Sequence, residues 1–344
     1  MMTLRLRRRL SAAISGFRSG QTLENHRRDI PAITPDEIAE IKQFFSREKF
    51  FIFGHARSGT TILARVIRQH QEVHCHWQAH FFTRPPLLEA LVADPSVGDW
   101  LKRPNNRWNS GRDLSPVVLR AAADMILERE AWREGKRIVG DKSPSSQLDG
   151  EAVRLMHKVY PDACLIYIIR DGRDTVLSHR FQNFIEFPQF LAHEDSRIRA
   201  DFARDPQLFL SGERSVFTAK GIQLAAEGWV RNVQETDQRG KELYGERYLS
   251  LRYEDLLEHP TEELERIWAF LGAEPATESA WAGVDAELQQ NLDVTWQSQK
   301  SGEIARFLQK GKHGSWQMIF TPRDRRVFEE IAGELLAVWG YGWE

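Results

Sequence analysis

Two short runs in this chain gather glycine, arginine and hydroxyl residues where they could hold anions. The first is Gly54-His55-Ala56-Arg57-Ser58-Gly59-Thr60-Thr61, which follows the apolar run 50–53 and leads into a helical pattern. Glycines at both ends let the backbone wrap tightly. Successive N–H groups, Ser58 to Thr61 among them, and a helix N-terminus then converge on one anion. Thr60 and Thr61 add hydroxyls that donate to a phosphate or cap the helix. The glycine spacing is that of GxxxxGK[ST], but Thr60 stands in the lysine position and the cation, Arg57, lies inside the loop. A handler of a nucleotide γ-phosphate needs that lysine, a magnesium-binding hydroxyl and a carboxylate partner. This loop suits an anion handled without metal.

The second run is Arg170-Asp171-Gly172-Arg173-Asp174-Thr175-Val176-Leu177-Ser178, after the apolar stretch 163–169. Arg170, at the carboxyl end of a buried strand, reaches the crevice where open α/β sheets bind ligands. With Ser178 two helical turns on, it makes a natural clamp for a lone phosphate. A third candidate, Lys142 in Gly140-Asp141-Lys142-Ser143-Pro144, follows a short strand and faces the same end of the sheet.

These residues must be positioned by a layered scaffold. Four short apolar runs, 50–53, 138–139 with its neighbours, 163–169 and 248–253, read as strands buried on both faces. Helical patterns lie between them at 62–69, 150–159, 227–244 and 261–271, with another at 322–339. Strands alternating with helices imply an α/β fold: a parallel sheet flanked by helices and joined by right-handed crossovers. The polar stretch 184–221 breaks the rhythm and is expected to be a helical insert or lid at one end of the sheet. The organisation expected is a basic arm and leading helix over 1–45, then one domain over 46–344.

Composition narrows the classes further. A net charge of −2 gives no global basic field, so nucleic acid is not an expected partner. No run of about 18 apolar residues occurs, so no transmembrane segment is expected. The two cysteines, Cys75 and Cys164, do not make a disulfide framework and fit a reducing, cytoplasmic setting. Each reads as a small buried hydrophobe. No CxxC or HExxH motif occurs, so no metal is expected. The arginines between Arg5 and Arg18 read as a solvated basic arm. Of the eleven tryptophans, Trp100 and Trp108 sit in a Pro/Asn/Gly-rich stretch and are candidates for a pocket rim.

Taken together, these motifs resemble the PAPS-dependent sulfotransferases, with features of the cytosolic, tyrosylprotein and bacterial branches. Residues 54–61 resemble the loop that holds the 5′-phosphosulfate of 3′-phosphoadenosine 5′-phosphosulfate (PAPS). Arg170 and Ser178 stand eight residues apart, as in the family's 3′-phosphate site. Leu251-Arg252-Tyr253-Glu254-Asp255-Leu256 resembles the late-strand YED element, whose tyrosine approaches the adenine. Lys310-Gly311-Lys312-His313-Gly314-Ser315-Trp316 resembles the KGxxGxW segment that closes over the 3′-phosphate. The resemblance implies a P-loop NTPase-like sulfotransferase fold and metal-independent, in-line sulfuryl transfer from PAPS to a hydroxyl or amine, releasing PAP. It leaves the acceptor open: small molecule, carbohydrate or peptidyl hydroxyl. Two departures bear on nucleotide affinity: Ile62 replaces a tryptophan that stacks on adenine in many cytosolic members, and Gln309 replaces an arginine.

The same resemblance frames the catalytic expectations. Arg57 and the loop amides stabilise charge on the leaving oxygen, and Lys142 matches a lysine that supports the transition state in tyrosylprotein-type members. Gln78 stands where that branch has a glutamate base, so the base is expected among neighbouring histidines. If 74–80 is extended, His76 and His80 share the face of Gln78, and both are candidates, His80 first because Phe81 and Phe82 surround it. Asp141 is the next candidate. Two alternatives stand beside the enzyme: a P-loop kinase-like phosphotransferase and an inactive nucleotide-binding scaffold.

Overall fold

The computed structural model describes residues 29–83, 90–105, 107–145, 150–289 and 314–342. The arginines before position 19 lie outside them. The leading helix α1 (Pro35–Lys42) opens with a reciprocal cap, in which Thr34 Oγ1 accepts from the Glu37 N–H and Glu37 accepts from the Thr34 N–H. The longer elements then run β1 (Glu48–Gly54), α2 (Thr60–Ile67), β2 (Val73–Trp77), α3 (Pro95–Lys102), α4 (Ser115–Arg133), β3 (Ile138–Lys142) and α5 (Gly150–Val159). They continue with β4 (Cys164–Ile169), α6 (Gly172–Glu186), α7 (His193–Arg204), α8 (Ala219–Tyr244), β5 (Tyr248–Arg252) and α9 (Tyr253–Glu258). The last are α10 (Pro260–Phe270), α11 (Glu278–Gln289) and α12 (Pro322–Val338).

The strands form one sheet in the order β2-β3-β1-β4-β5, and every pairing is parallel. This is the α/β architecture that the alternating runs imply. Because the strands share one direction, Gly54, Trp77, Lys142, Ile169 and Arg252 all end at one rim, where such sheets bind ligands. Alternate residues of β1 enter two different cores. Phe50 and Ile52 pack with Leu63, Ile67, Leu264 and Trp268 on the α2 and α10 side. Phe51 and Phe53 join Val139, Leu127, Met156, Trp229 and Phe328 on the other. Both faces are covered, which is why β1 and β4 carry unbroken apolar runs.

Two elements carry weak sequence signals. Edge strand β2 has the polar run Val-His-Cys-His-Trp, and β3 extends through Gly140 and Asp141, so that Lys142 is its last residue rather than a loop residue after it. The stretch 184–221 holds α7 and a short helix at Gln207–Leu210. It contributes Phe202, Phe209, Val216 and Phe217 to the larger core, so it is packed into the body. Cys75 is fully buried and Cys164 partly so, both as free thiols. Among the described residues no helix is long and apolar enough to cross a membrane.

A charged network is sealed beneath the α4 layer. Arg120, wholly buried, donates to Asp124 at 3.1 Å and to Asp162 at 2.6 Å, and its guanidinium lies 4.3 Å from the Tyr160 ring centre. Tyr160 Oη donates to Asp124 at 2.8 Å. Lys49, from the start of β1, adds ion pairs of 3.4 Å to Asp124 and 2.7 Å to Glu128. The network ties α4 to the sheet and to the turn after α5, with each charge facing a partner.

Candidate active site

The loop between β1 and α2 wraps back on itself through a Ser58 N–H bond to the His55 carbonyl, 3.1 Å. Arg57 takes a left-handed conformation at φ 76°, which is uncommon for a residue with a Cβ and persists only where neighbours hold it. Gly59 is also left-handed, at φ 86°, and a Cβ there would lie 2.1 Å from the Tyr253 ring. Only glycine fits at that approach. Gly59 is the N-cap of α2, and no side chain caps the helix among the described residues. The first-turn N–H groups at Thr60 and Thr61 are left facing the loop, a suitable arrangement for an anion.

The second candidate run, 170–178, meets this loop directly. Arg57 Nε donates to Ser178 Oγ at 3.1 Å, and Arg170 Nη1 donates to the Arg57 carbonyl at 3.2 Å. The Arg170 guanidinium lies 5.0 Å from the Tyr253 ring centre, the ring that faces Gly59. Arg57, Gly59, Arg170, Ser178 and Tyr253, drawn from three separate stretches of sequence, therefore share one locale. The close of the C-terminal motif is there too. Buried Asp174, in the first turn of α6, accepts from the N–H groups of Gly314 at 2.6 Å and Trp316 at 3.2 Å. Arg173 lies 3.9 Å from the Trp316 ring centre. Lys310 and Gly311 lie outside the described residues.

Lys142 reaches the same loop from the opposite side. Its Nζ is 3.2 Å from Thr61 Oγ1 and 5.4 Å from the ring centre of half-exposed Trp77, while the rest of the side chain is buried. The histidines depart from expectation. The segment 74–80 is not extended throughout: β2 ends at Trp77, and Gln78 and His80 have positive φ values of 56° and 52°. The shared face assumed for His76, Gln78 and His80 is therefore lost. The turn is fixed by bonds from the Gln78 N–H to the Lys142 carbonyl, the Ala79 N–H to Asp141 and the His80 N–H to Ser143 Oγ. His76 points to the α4 side, its Nε2 bonded to the Leu127 carbonyl at 2.8 Å, away from Trp77 and Lys142. His80 is buried beside the Lys142 turn, with Nδ1 2.9 Å from Thr83 Oγ1.

Several residues that sequence reasoning passed over shape the site. Glu254 of the YED element accepts from the Asp171 N–H at 3.1 Å and from Tyr341 Oη at 2.8 Å, so it anchors the start of α6 and the C-terminal segment. Burial pushes the Glu254, Asp174 and Asp141 carboxyls up from their ordinary range. His55 in the loop and His179 beside Ser178 lie edge to face at 5.8 Å, and burial lowers each to about 4, so both are neutral near pH 7. Only their adjacency to the two anion motifs could have drawn attention to them. Trp100 and Trp108 stack on each other at 4.6 Å as a half-exposed pair.

Comparison with known proteins bears on the same stretch. A nodulation protein, NoeE, of Sinorhizobium fredii strain NGR234 is 26% identical over 253 residues, 68% of this chain and 52% of its own length. An uncharacterized protein of Aquifex aeolicus is 26% identical over 162 residues, 46% of this chain and 20% of its own. The chain thus spans about half the first relative and a fifth of the second. Among solved structures, a mouse sulfotransferase complexed with PAP overlays 88% of this chain and 90% of its own, at 19% identity and a TM-score of 0.45. The sulfotransferase domain of the Synechococcus PCC 7002 olefin synthase overlays 89% and 97%, at 17% identity and 0.45. The sulfotransferase family model matches residues 49–202, which hold the β1–α2 loop, Lys142, Arg170 and Ser178. Over those residues this chain is similar to the sulfotransferase family.

Proposed function

We propose that the protein transfers a sulfuryl group from PAPS to an acceptor hydroxyl or amine, without metal, and releases PAP. The observation that carries the reading is the direct contact of the two anion-binding runs, through Arg57 to Ser178 and Arg170 to the Arg57 carbonyl. A ligand with anionic groups at both ends of one nucleoside, the 5′-phosphosulfate and the 3′-phosphate, suits such a paired cradle. The Tyr253 ring between them offers a face for the adenine. Thr60 in the lysine position argues against a γ-phosphate donor.

In this reading the loop amides, Ser58, Thr60 and Thr61 hold the phosphosulfate, and Arg57 and Lys142 take up charge on the bridging oxygen as the S–O bond breaks. Lys310 and Gly311 would close over the 3′-phosphate. The acceptor oxygen bonds to sulfur and loses its proton to a base. His80 is the proposed base, in preference to His76, because it lies at the rim beside Ser143 while His76 is bound on the α4 side. The acceptor class is a small molecule, carbohydrate or peptidyl group.

Thermal melts test the ligand. PAP at about 100 times its Kd should add about 2.7 kcal/mol of stability. Arg170→Ala should weaken PAP by about 10- to 150-fold, the loss of a charged hydrogen bond worth about 1.5–3 kcal/mol. A larger shift with ATP and magnesium than with PAP would favour phosphoryl transfer instead.

A further inference from the structure

We infer that His74, His76 and Glu130 form a binding site for one divalent transition metal, zinc by its donor set, joining the sheet's edge strand to α4. The reasoning is independent of the sulfuryl-transfer reading, since these residues lie on the opposite side of β2 from Lys142. His74 and His76 are two apart on a strand, so both rings project to the α4 side, and their centres are 4.5 Å apart. Glu130 comes from α4, and one donor atom from each of the three residues lies within 4.8 Å of the others.

The hydrogen bonds decide which ring atoms are available. His74 Nδ1 is 2.7 Å from the Glu134 carboxylate, and His76 Nε2 is 2.8 Å from the Leu127 carbonyl. Both partners only accept, so those two nitrogens carry the protons. In neutral imidazoles the lone pairs then sit on His74 Nε2 and His76 Nδ1. These are the atoms turned to Glu130 Oε2, at 3.8 and 4.0 Å. Two lone pairs and a carboxylate oxygen facing one another repel unless a proton donor or a metal cation lies between them, and all three are donors that a divalent transition metal accepts. Ligands of a tetrahedral zinc stand about 3.3–3.6 Å apart, so the set closes with small inward turns of the half-exposed Glu130 side chain and of the two rings, whose donor atoms lie within 4.8 Å of each other. The other ring nitrogens already have the carboxylate and backbone-carbonyl partners that orient metal-binding histidines. His74 is buried and Glu130 is half open to solvent, which leaves a fourth position for water. The sequence hid this site because its third ligand is 54 residues beyond the His-x-His pair (130 − 76). A metal here would pin the end of β2, from which the Gln78–His80 turn runs back to β3.

The test uses the full chain, stripped with chelator and titrated with cobalt(II) as a spectroscopic stand-in for zinc. One equivalent should bind with the intense visible absorption of a tetrahedral centre, and zinc should displace it. Glu130→Gln should abolish that absorption, and Glu134→Gln should lower cobalt affinity by about 10- to 100-fold. Both positions are near-surface, so circular dichroism should confirm that the variants keep the fold. Failure to bind one equivalent, or binding that Glu130→Gln leaves unchanged, would overturn the assignment.

Discussion

Replacing Lys142 with methionine should slow single-turnover sulfuryl transfer by about 10²- to 10³-fold, the usual cost of removing one preorganised donor to developing charge. PAP-induced stabilisation should change far less. The lysine is the last residue of β3, buried along its stem, and its ammonium is fixed between Thr61 Oγ1 and the Trp77 ring. In the proposed mechanism a donor fixed before the reaction begins needs no reorganisation when the bridging oxygen gains charge. Methionine keeps the buried volume, so a loss of rate separates the charge from packing. His80→Ala is the companion variant. It should cost about 10²- to 10⁴-fold and remove the acid limb of the kcat/KM profile. Near-full rates in Lys142→Met, measured by rapid quench, would remove the lysine from the mechanism. An unchanged acid limb in His80→Ala would move the base elsewhere, Asp141 being next.

Arg120→Ala should destabilise the fold by about 3–5 kcal/mol in equilibrium denaturant unfolding, a large share of a typical domain's stability. The guanidinium is wholly buried and answers two carboxylates, Asp124 and Asp162, with Tyr160 stacked on it. Burial already pushes the Asp124 carboxyl up, and Lys49 and Arg120 oppose that shift. With the arginine gone, among the described residues Asp124 keeps Lys49 and the Tyr160 hydroxyl, and Asp162 keeps Lys42 at 3.2 Å. Removing one partner of a buried pair costs far more than the pair contributes, because the other charge stays desolvated. A loss below about 1 kcal/mol would mean that water enters the network.

What the sequence disclosed follows from how local each signal is. Central strands β1 and β4 are covered on both faces, so their residues form apolar runs that stand out by composition alone, whereas β3 offers only Ile138 and Val139 before Gly140 and Asp141. β2 does not stand out: it is an edge strand, and the face it turns to α4 carries the polar residues His74 and His76, whose partners lie on α4 and at its C-terminal end. The anion loop and the Arg170–Ser178 run were legible because each is one contiguous stretch. Their contact was not, because a 121-residue separation between Arg57 and Ser178 leaves no spacing to read. Only the shared face assumed for His76, Gln78 and His80 was lost, for a local reason. It assumed an extended backbone through 80, and the bonds from Gln78, Ala79 and His80 to the end of β3 bend the chain instead. Glu254 looked like part of a nucleotide motif, yet it fastens the C-terminal Tyr341 to the start of α6.

The most direct test of the central claim is a transfer assay with PAPS carrying a labelled sulfuryl group, run in chelator against a panel of hydroxyl and amine acceptors. The account predicts label on an acceptor together with stoichiometric PAP, and a rate that collapses in Arg57→Ala. Tight PAP binding without transfer to any acceptor would contradict it, leaving a nucleotide-binding scaffold. Transfer that persists at full rate in Arg57→Ala would contradict the assignment of the chemistry to this loop.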